Sequence, residues 1–167
     1  IEARPYLVCT LHPLSAQLLT QLRGARRRTL ALVDDLDEDQ LRAPGSGRVA
    51  PAHWEVGHVA WFQERWLLRH LARAAPIWPI ADALFDPARV EPHQRATLDL
   101  PSWIETRRYL EAVFDTASER IARRELDVEE AECIRLALLH EELHSERLCA
   151  ARQERADPAP YADGDLY

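Results

Sequence analysis

The chain has 167 residues, enough for one domain with its own core, and at 47% apolar and 29% charged it reads as globular. Its 28 acidic residues against 21 basic ones leave a formal charge of −7, which argues against nonspecific nucleic-acid binding. No apolar run approaches the roughly 18 to 20 residues that cross a bilayer, and the N-terminus lacks a signal-peptide pattern, so no membrane role is expected and the cytoplasm is the expected compartment.

Cys9, Cys133 and Cys149 are too few and too scattered for a disulfide scaffold, and the odd count fits reduced thiols, with Cys133 and Cys149 packing as small core residues. All 21 basic residues are arginine, and the run Arg26-Arg27-Arg28 reads as a solvated helix face. An N-terminal Ile in place of Met, and a chain that stops in Asp-Gly-Asp-Leu-Tyr, suggest a piece of something longer.

Four amphipathic segments stand out, and no stretch alternates with the period of a half-buried strand, so the fold class is all-α. The first helix is predicted to follow Pro13 and run to about Asp34, with Leu14, Leu18, Leu22, Ala25, Thr29 and Val33 on one side. Asp-Glu-Asp (37–39), Pro44 and Gly45-Ser46-Gly47 then break it. The second opens at Pro51 and continues to about Arg73, with Trp54, His58, Trp61, Phe62 and Arg65 on its inner stripe. Five prolines between residues 74 and 101 predict a long crossover with at most one short helix near Ile80 to Phe85. Capping boxes at Ser102-Trp-Ile-Glu105 and Asp127-Val-Glu-Glu130 start the third and fourth helices, the latter reaching roughly Gln153. Four helices with one long connection after the second give a four-helix bundle with a crossover between helices 2 and 3.

Residues four apart on a helix differ by about 40° of rotation and one turn of rise, so His140 and His144 point the same way and can share one ion. Cys133, Ala137 and Leu148 share their stripe, which turns both imidazoles towards the bundle interior, and His58 faces inward among Trp54, Trp61 and Phe62. Three imidazoles without a thiolate suit iron, zinc, copper or nickel with open coordination positions, and disfavour a closed structural zinc site. The bland alternative is a helical interaction module whose histidines merely pack. His12, His53, His70 and His93 lack the geometry: His53 lies about 140° around the helix from His58, and His93 sits in the crossover. His140-Glu-Glu-Leu-His144 also fits the His-Glu-x-x-His zinc peptidase pattern, but the extended motif needs Gly and His where this chain has Arg147 and Ala150, and no sheet is available to bind a peptide. Glu141 and Glu142 are expected either to orient an imidazole N–H from behind or to lie on the solvated helix surface.

With Pro-Ala-His-Trp-Glu-Val-Gly-His-Val-Ala-Trp-Phe (51–62), Ala-Leu-Phe-Asp (83–86) and His-Glu-Glu-Leu-His-Ser-Glu (140–146), the chain resembles the DinB-like N-terminal domain of the ergothioneine and selenoneine synthases, from about Leu18 to Gln153. The resemblance implies a DinB-like four-helix bundle in which His58, His140 and His144 hold a non-haem Fe(2+). It further implies O2-dependent joining of a thiol or selenol donor to the imidazole carbon of trimethylhistidine. Leu143 stands where the ergothioneine branch often has a glutamine that helps hold trimethylhistidine, which is closer to the selenoneine branch. His93 and Arg95 fall near the family's substrate-facing loop, with Arg95 suited to pair with a donor anion. In these synthases a C-terminal domain resembling the formylglycine-generating enzymes supplies a catalytic tyrosine. This chain ends before any such domain, and Tyr161 and Tyr167 are no substitute for that tyrosine. The expected layout is therefore a metal-binding bundle over residues 1–155 and a tail or linker over 156–167, completed by a C-terminal domain or a partner chain. A stand-alone DinB-like thiol S-transferase, using zinc or nickel at the same three histidines, is the alternative.

Overall fold

The computed structural model describes residues 12–44, 50–155 and 157. Cys9, the Gly45-Ser46-Gly47 turn and the tail carrying Tyr161 and Tyr167 lie outside the described residues. Helix α1 (Pro13–Ala31) opens on Pro13 and buries Leu18, Leu22, Ala25 and Thr29 along one side, as the spacing predicts. One residue of the arginine run departs from expectation: Arg26 is 6% exposed, because it lies on the same buried stripe as Leu22 and Thr29 and finds acceptors there.

Asp37-Glu38-Asp39 starts a further helix, α2 (Glu38–Arg42), instead of simply breaking α1. Gln40 donates its amide to Asp37 Oδ1 at 2.8 Å, and its side-chain oxygen accepts the Asp37 amide at 2.9 Å, so a capping box nucleates the turn. Helix α3 (Ala52–Gln63) follows Pro51 and is buried on nearly every side, since α5 and α6 pack on it and the short helices α2 and α4 cover the rest. From Glu64 to His70 the same rod widens into π-helical turns. The extra residue per turn rotates the pattern, so Glu64 is buried and Arg65, expected inside from a regular period, is exposed. Buried Glu64 accepts the Tyr109 hydroxyl at 2.6 Å and the Ile77 amide, tying the start of the crossover to the bundle.

The crossover carries α4 (Ala81–Phe85), close to its predicted place, and a 3-10 turn at Pro92–Gln94. Helix α5 (Trp103–Ala122) and helix α6 (Val128–Glu154) start at the two predicted capping boxes. At α6 the Glu130 amide donates to Asp127 Oδ1 at 2.8 Å, and the Asp127 amide donates back to Glu130 at 3.1 Å. The long helices α1, α3 with its π-helical extension, α5 and α6 form the bundle, and α1 and α3 both pack on α5 and α6. Their shared core centres on residues such as Trp54, Val59, Leu110 and Ile134. Cys133 is buried as expected; Cys149 is exposed because it faces outward beside the buried Leu148 stripe, and both are free thiols. Among the described residues no helix is long and apolar enough to cross a membrane.

Candidate metal centre

Helix α3 brings His58 to the level of His140 and His144 on α6. One ligand atom from each of the three lies within 4.8 Å of the others. Ring centroids are 5.0 Å apart for His58 and His140, 4.9 Å for His58 and His144, and 4.4 Å for His140 and His144. His58 and His144 are buried and His140 is half-buried.

The orientation of His58 follows from the crossover. Helix α4 presents three acceptors to one stripe of α3: Trp54 Nε1 donates to the Leu84 carbonyl at 2.9 Å, His58 Nδ1 to the Phe85 carbonyl at 2.8 Å, and Trp61 Nε1 to Asp82 Oδ1 at 2.7 Å. Asp82 is itself held by both guanidinium nitrogens of Arg69, at 2.6 and 3.0 Å. Gly57 makes the close approach of α4 possible, because a Cβ there would stand 2.2 Å from the Phe85 ring. The imidazole of His58 lies between the indoles of Trp54 and Trp61, stacked at 4.8 and 5.7 Å. On α6, His144 donates from Nδ1 to the buried carboxylate of Glu55, one turn before His58 on α3. His140 stacks on Phe62 with centroids 3.6 Å apart and planes within 5° of parallel.

These partners fix protons as well as rings. A carbonyl can only accept, so the neutral His58 carries its proton on Nδ1 and directs the Nε2 lone pair at the other histidines; Glu55 imposes the same tautomer on His144. Burial pushes His58 down to about 4, against the opposing pull of the Phe85 carbonyl. Burial, then the charges of His144, His58 and Arg147, pushes His140 down to about 2. Both rings are therefore neutral near pH 7, the form that ligates metals.

A cation fits this donor set. A metal–imidazole bond of about 2.0–2.1 Å places neighbouring ligand nitrogens roughly 3 Å apart, and His58 Nε2 lies 3.2 Å from His140 Nε2. Two lone pairs facing each other at that distance repel unless a proton or a cation lies between them, and His140 Nδ1 is buried without a hydrogen-bond partner. The chain matches the DinB superfamily over residues 21–147. It belongs to that superfamily. Two curated relatives are named hercynine oxygenase: one from Mycolicibacterium thermoresistibile is 31% identical over 147 residues, and one from Mycobacterium tuberculosis is 29% identical over 137 residues. These alignments cover 86% and 81% of this chain but 32% of each relative, so the chain spans about a third of their length.

The other residues singled out in the sequence are spread around this cluster. Arg95 lays its guanidinium 4.0 Å above the Trp54 ring, on the indole that stacks on His58, and its charge and that of Arg147 reach the histidines. His93 is exposed in the 3-10 turn, and Leu143 is 45% exposed on α6. His53 turns away to Thr106 at 2.9 Å, and His70 faces Glu129 at the surface. Glu141 is fully buried and pairs with Arg26, whereas Glu142 pairs with Arg28 at the surface; neither accepts a hydrogen bond from an imidazole. That task falls to Glu55, which sequence reasoning missed. Its signal was a single acid inside the run Trp54 to Trp61, whose other residues apart from His58 are apolar or glycine, where a charge on a buried helix must find a partner.

Proposed function

We propose that this chain is the metal-binding helical domain, over residues 1–155, of a cytoplasmic enzyme that uses Fe(II) and O2 to join a thiol or selenol donor to trimethylhistidine. The observation that carries this reading is the convergence of three imidazoles, two of them, His58 and His144, held from behind through Nδ1 so that Nε2 is left for the shared point. The names of the relatives support it, since hercynine is trimethylhistidine.

In this reading His58, His140 and His144 would hold the iron through three nitrogen ligands, a set that leaves further coordination positions free. Bound there, ferrous iron supplies the one-electron and O2 chemistry that protein side chains lack. Trp54, Trp61 and Phe62 exclude water from the imidazoles and keep them rigid. Arg95, held over Trp54, pairs with a carboxylate of the incoming donor, while His93 and Leu143 face the substrate side. Leu139 and Leu143 stand 67% and 45% exposed one turn apart on α6, on the same side of His140. A further domain beyond residue 167, reached through residues 156–167, covers that face and completes the pocket.

The test is an assay of the full-length protein, loaded with Fe(II) under anaerobic conditions and given trimethylhistidine with either cysteine-type thiols or a selenol donor. The reading predicts O2 uptake matched by a sulfur- or selenium-linked product, both lost in His140→Ala. Thiol transfer that proceeds without O2 on bound zinc or nickel would overturn it in favour of a transferase.

A further inference from the structure

Beside the histidines lies a second buried cluster in which all four long helices meet. Glu141 Oε1 accepts from Arg26 Nε at 2.8 Å and from the Thr29 hydroxyl at 3.0 Å, and its Oε2 accepts from Gln63 Nε2 at 2.7 Å. Arg26 also donates to the Gln63 side-chain oxygen at 2.8 Å and to the Leu110 carbonyl at 3.1 Å. Thr29 and Ser145 share a hydrogen bond of 3.0 Å. The cluster thus joins α1 through Arg26 and Thr29, α3 through Gln63, α5 through Leu110, and α6 through Glu141 and Ser145. Glu141, Gln63 and Thr29 are at most 1% exposed.

Its register is tied to the histidines. Glu141 and Ser145 are four apart, and each follows a site histidine by one residue, so the cluster occupies the face of α6 about 100° round from the imidazoles over the same two turns. Gln63 follows Phe62, whose ring covers His140, and ends α3 five residues after His58. A guanidinium and a carboxylate cancel each other's charge, so the cluster adds no net charge beside the neighbouring centre. What it adds is direction: apolar contacts tolerate rotation of one helix against another, whereas a carboxylate gripped from α1 and α3 does not.

We infer that Glu141, held by Arg26 and Gln63, is a positioning residue that fixes the rotation of α6 and so aims His140 and His144 at His58. This rests on the metal-centre reading above. Replacing a whole buried ion pair by apolar side chains of similar volume often costs no stability, which lets stability and metal geometry be separated by mutation.

The experiment uses Co(II) as probe in the full-length protein and records affinity, the visible absorption bands and thermal melting. The variants are Glu141→Gln, the triple Arg26→Met/Gln63→Leu/Glu141→Leu, and Ile121→Val as a core control away from the cluster. The triple variant is expected to melt at or above the wild-type temperature, yet to bind Co(II) about tenfold more weakly or worse, with shifted bands. Glu141→Gln falls between it and wild type, and decides alone if the triple variant does not fold. Wild-type affinity and bands in Glu141→Gln and the triple variant would overturn the inference. So would a loss of affinity that merely tracks melting temperature as in Ile121→Val. A wild-type protein that takes up no Co(II) sinks the metal-centre reading itself, which is a different result.

Discussion

At the scale of single residues, the histidines are arranged by what stands behind them. Glu55 gives His144 its tautomer, and its replacement by Gln is expected to weaken metal binding by ~10–100-fold while the helices persist, as read by competition titration against a chelator. An unchanged affinity would mean that His144 needs no orienting acid. His53, which is not part of the centre, carries the pH dependence that can be read cleanly. Burial, then the charge of Arg42, lowers it from 6.5 to about 4, so the unfolded chain takes up a proton in that window that the native protein refuses. Its contribution is complete above about pH 6.5 and is lost as pH falls through 4, on the order of 3 kcal/mol for a shift of this size. Urea unfolding of metal-loaded wild type and His53→Gln between pH 4 and 7 checks this: the wild type loses stability faster on acidification, and parallel curves would contradict the assignment.

At the scale of elements, what decides the site is the seat of α4 on α3. Gly57→Ala places a methyl group against the Phe85 ring, and Phe85 is fully buried, so the ring or the helix must shift. A cost of about 1–3 kcal/mol is expected in urea unfolding, with partial recovery in Gly57→Ala/Phe85→Leu; an additive double mutant would show that the ring is not the obstacle. Much of this scale was legible in the sequence. The capping boxes at Ser102 and Asp127 marked the starts of α5 and α6 because their chemistry is local, and the spacing of His140 and His144 needed only the helical period. The π-helical turns were not legible, since Glu64 has no mark that separates it from a surface acid until Tyr109 and Ile77 are brought to it. The stripe of α3 placed His58 inward beside Trp54 and Trp61, but His53 is just as buried, so direction round the helix and not burial separates the two. Arg26 was not legible for the reason that hid Glu64: Glu141 lies 115 residues away, and only the folded bundle joins them.

At the scale of the whole molecule, the three imidazoles join α3 to α6 within one bundle, and the same helix α6 carries the exposed Leu136, Leu139 and Leu143. A Co(II)- or Fe(II)-loaded protein is therefore expected to unfold at higher temperature than the metal-free one, by an amount that grows with metal concentration, because the metal binds only the assembled cluster. The central claim is that three histidines from two helices hold one metal ion. Iron K-edge absorption of the anaerobically loaded full-length protein, measured beside His58→Ala, His140→Ala and His144→Ala, tests it most directly. One iron per chain is expected, with imidazole nitrogens at about 2.0–2.2 Å, and that iron is expected to be lost in each variant. Iron content unchanged in the three variants, or a sulfur ligand in the first coordination sphere, would contradict it.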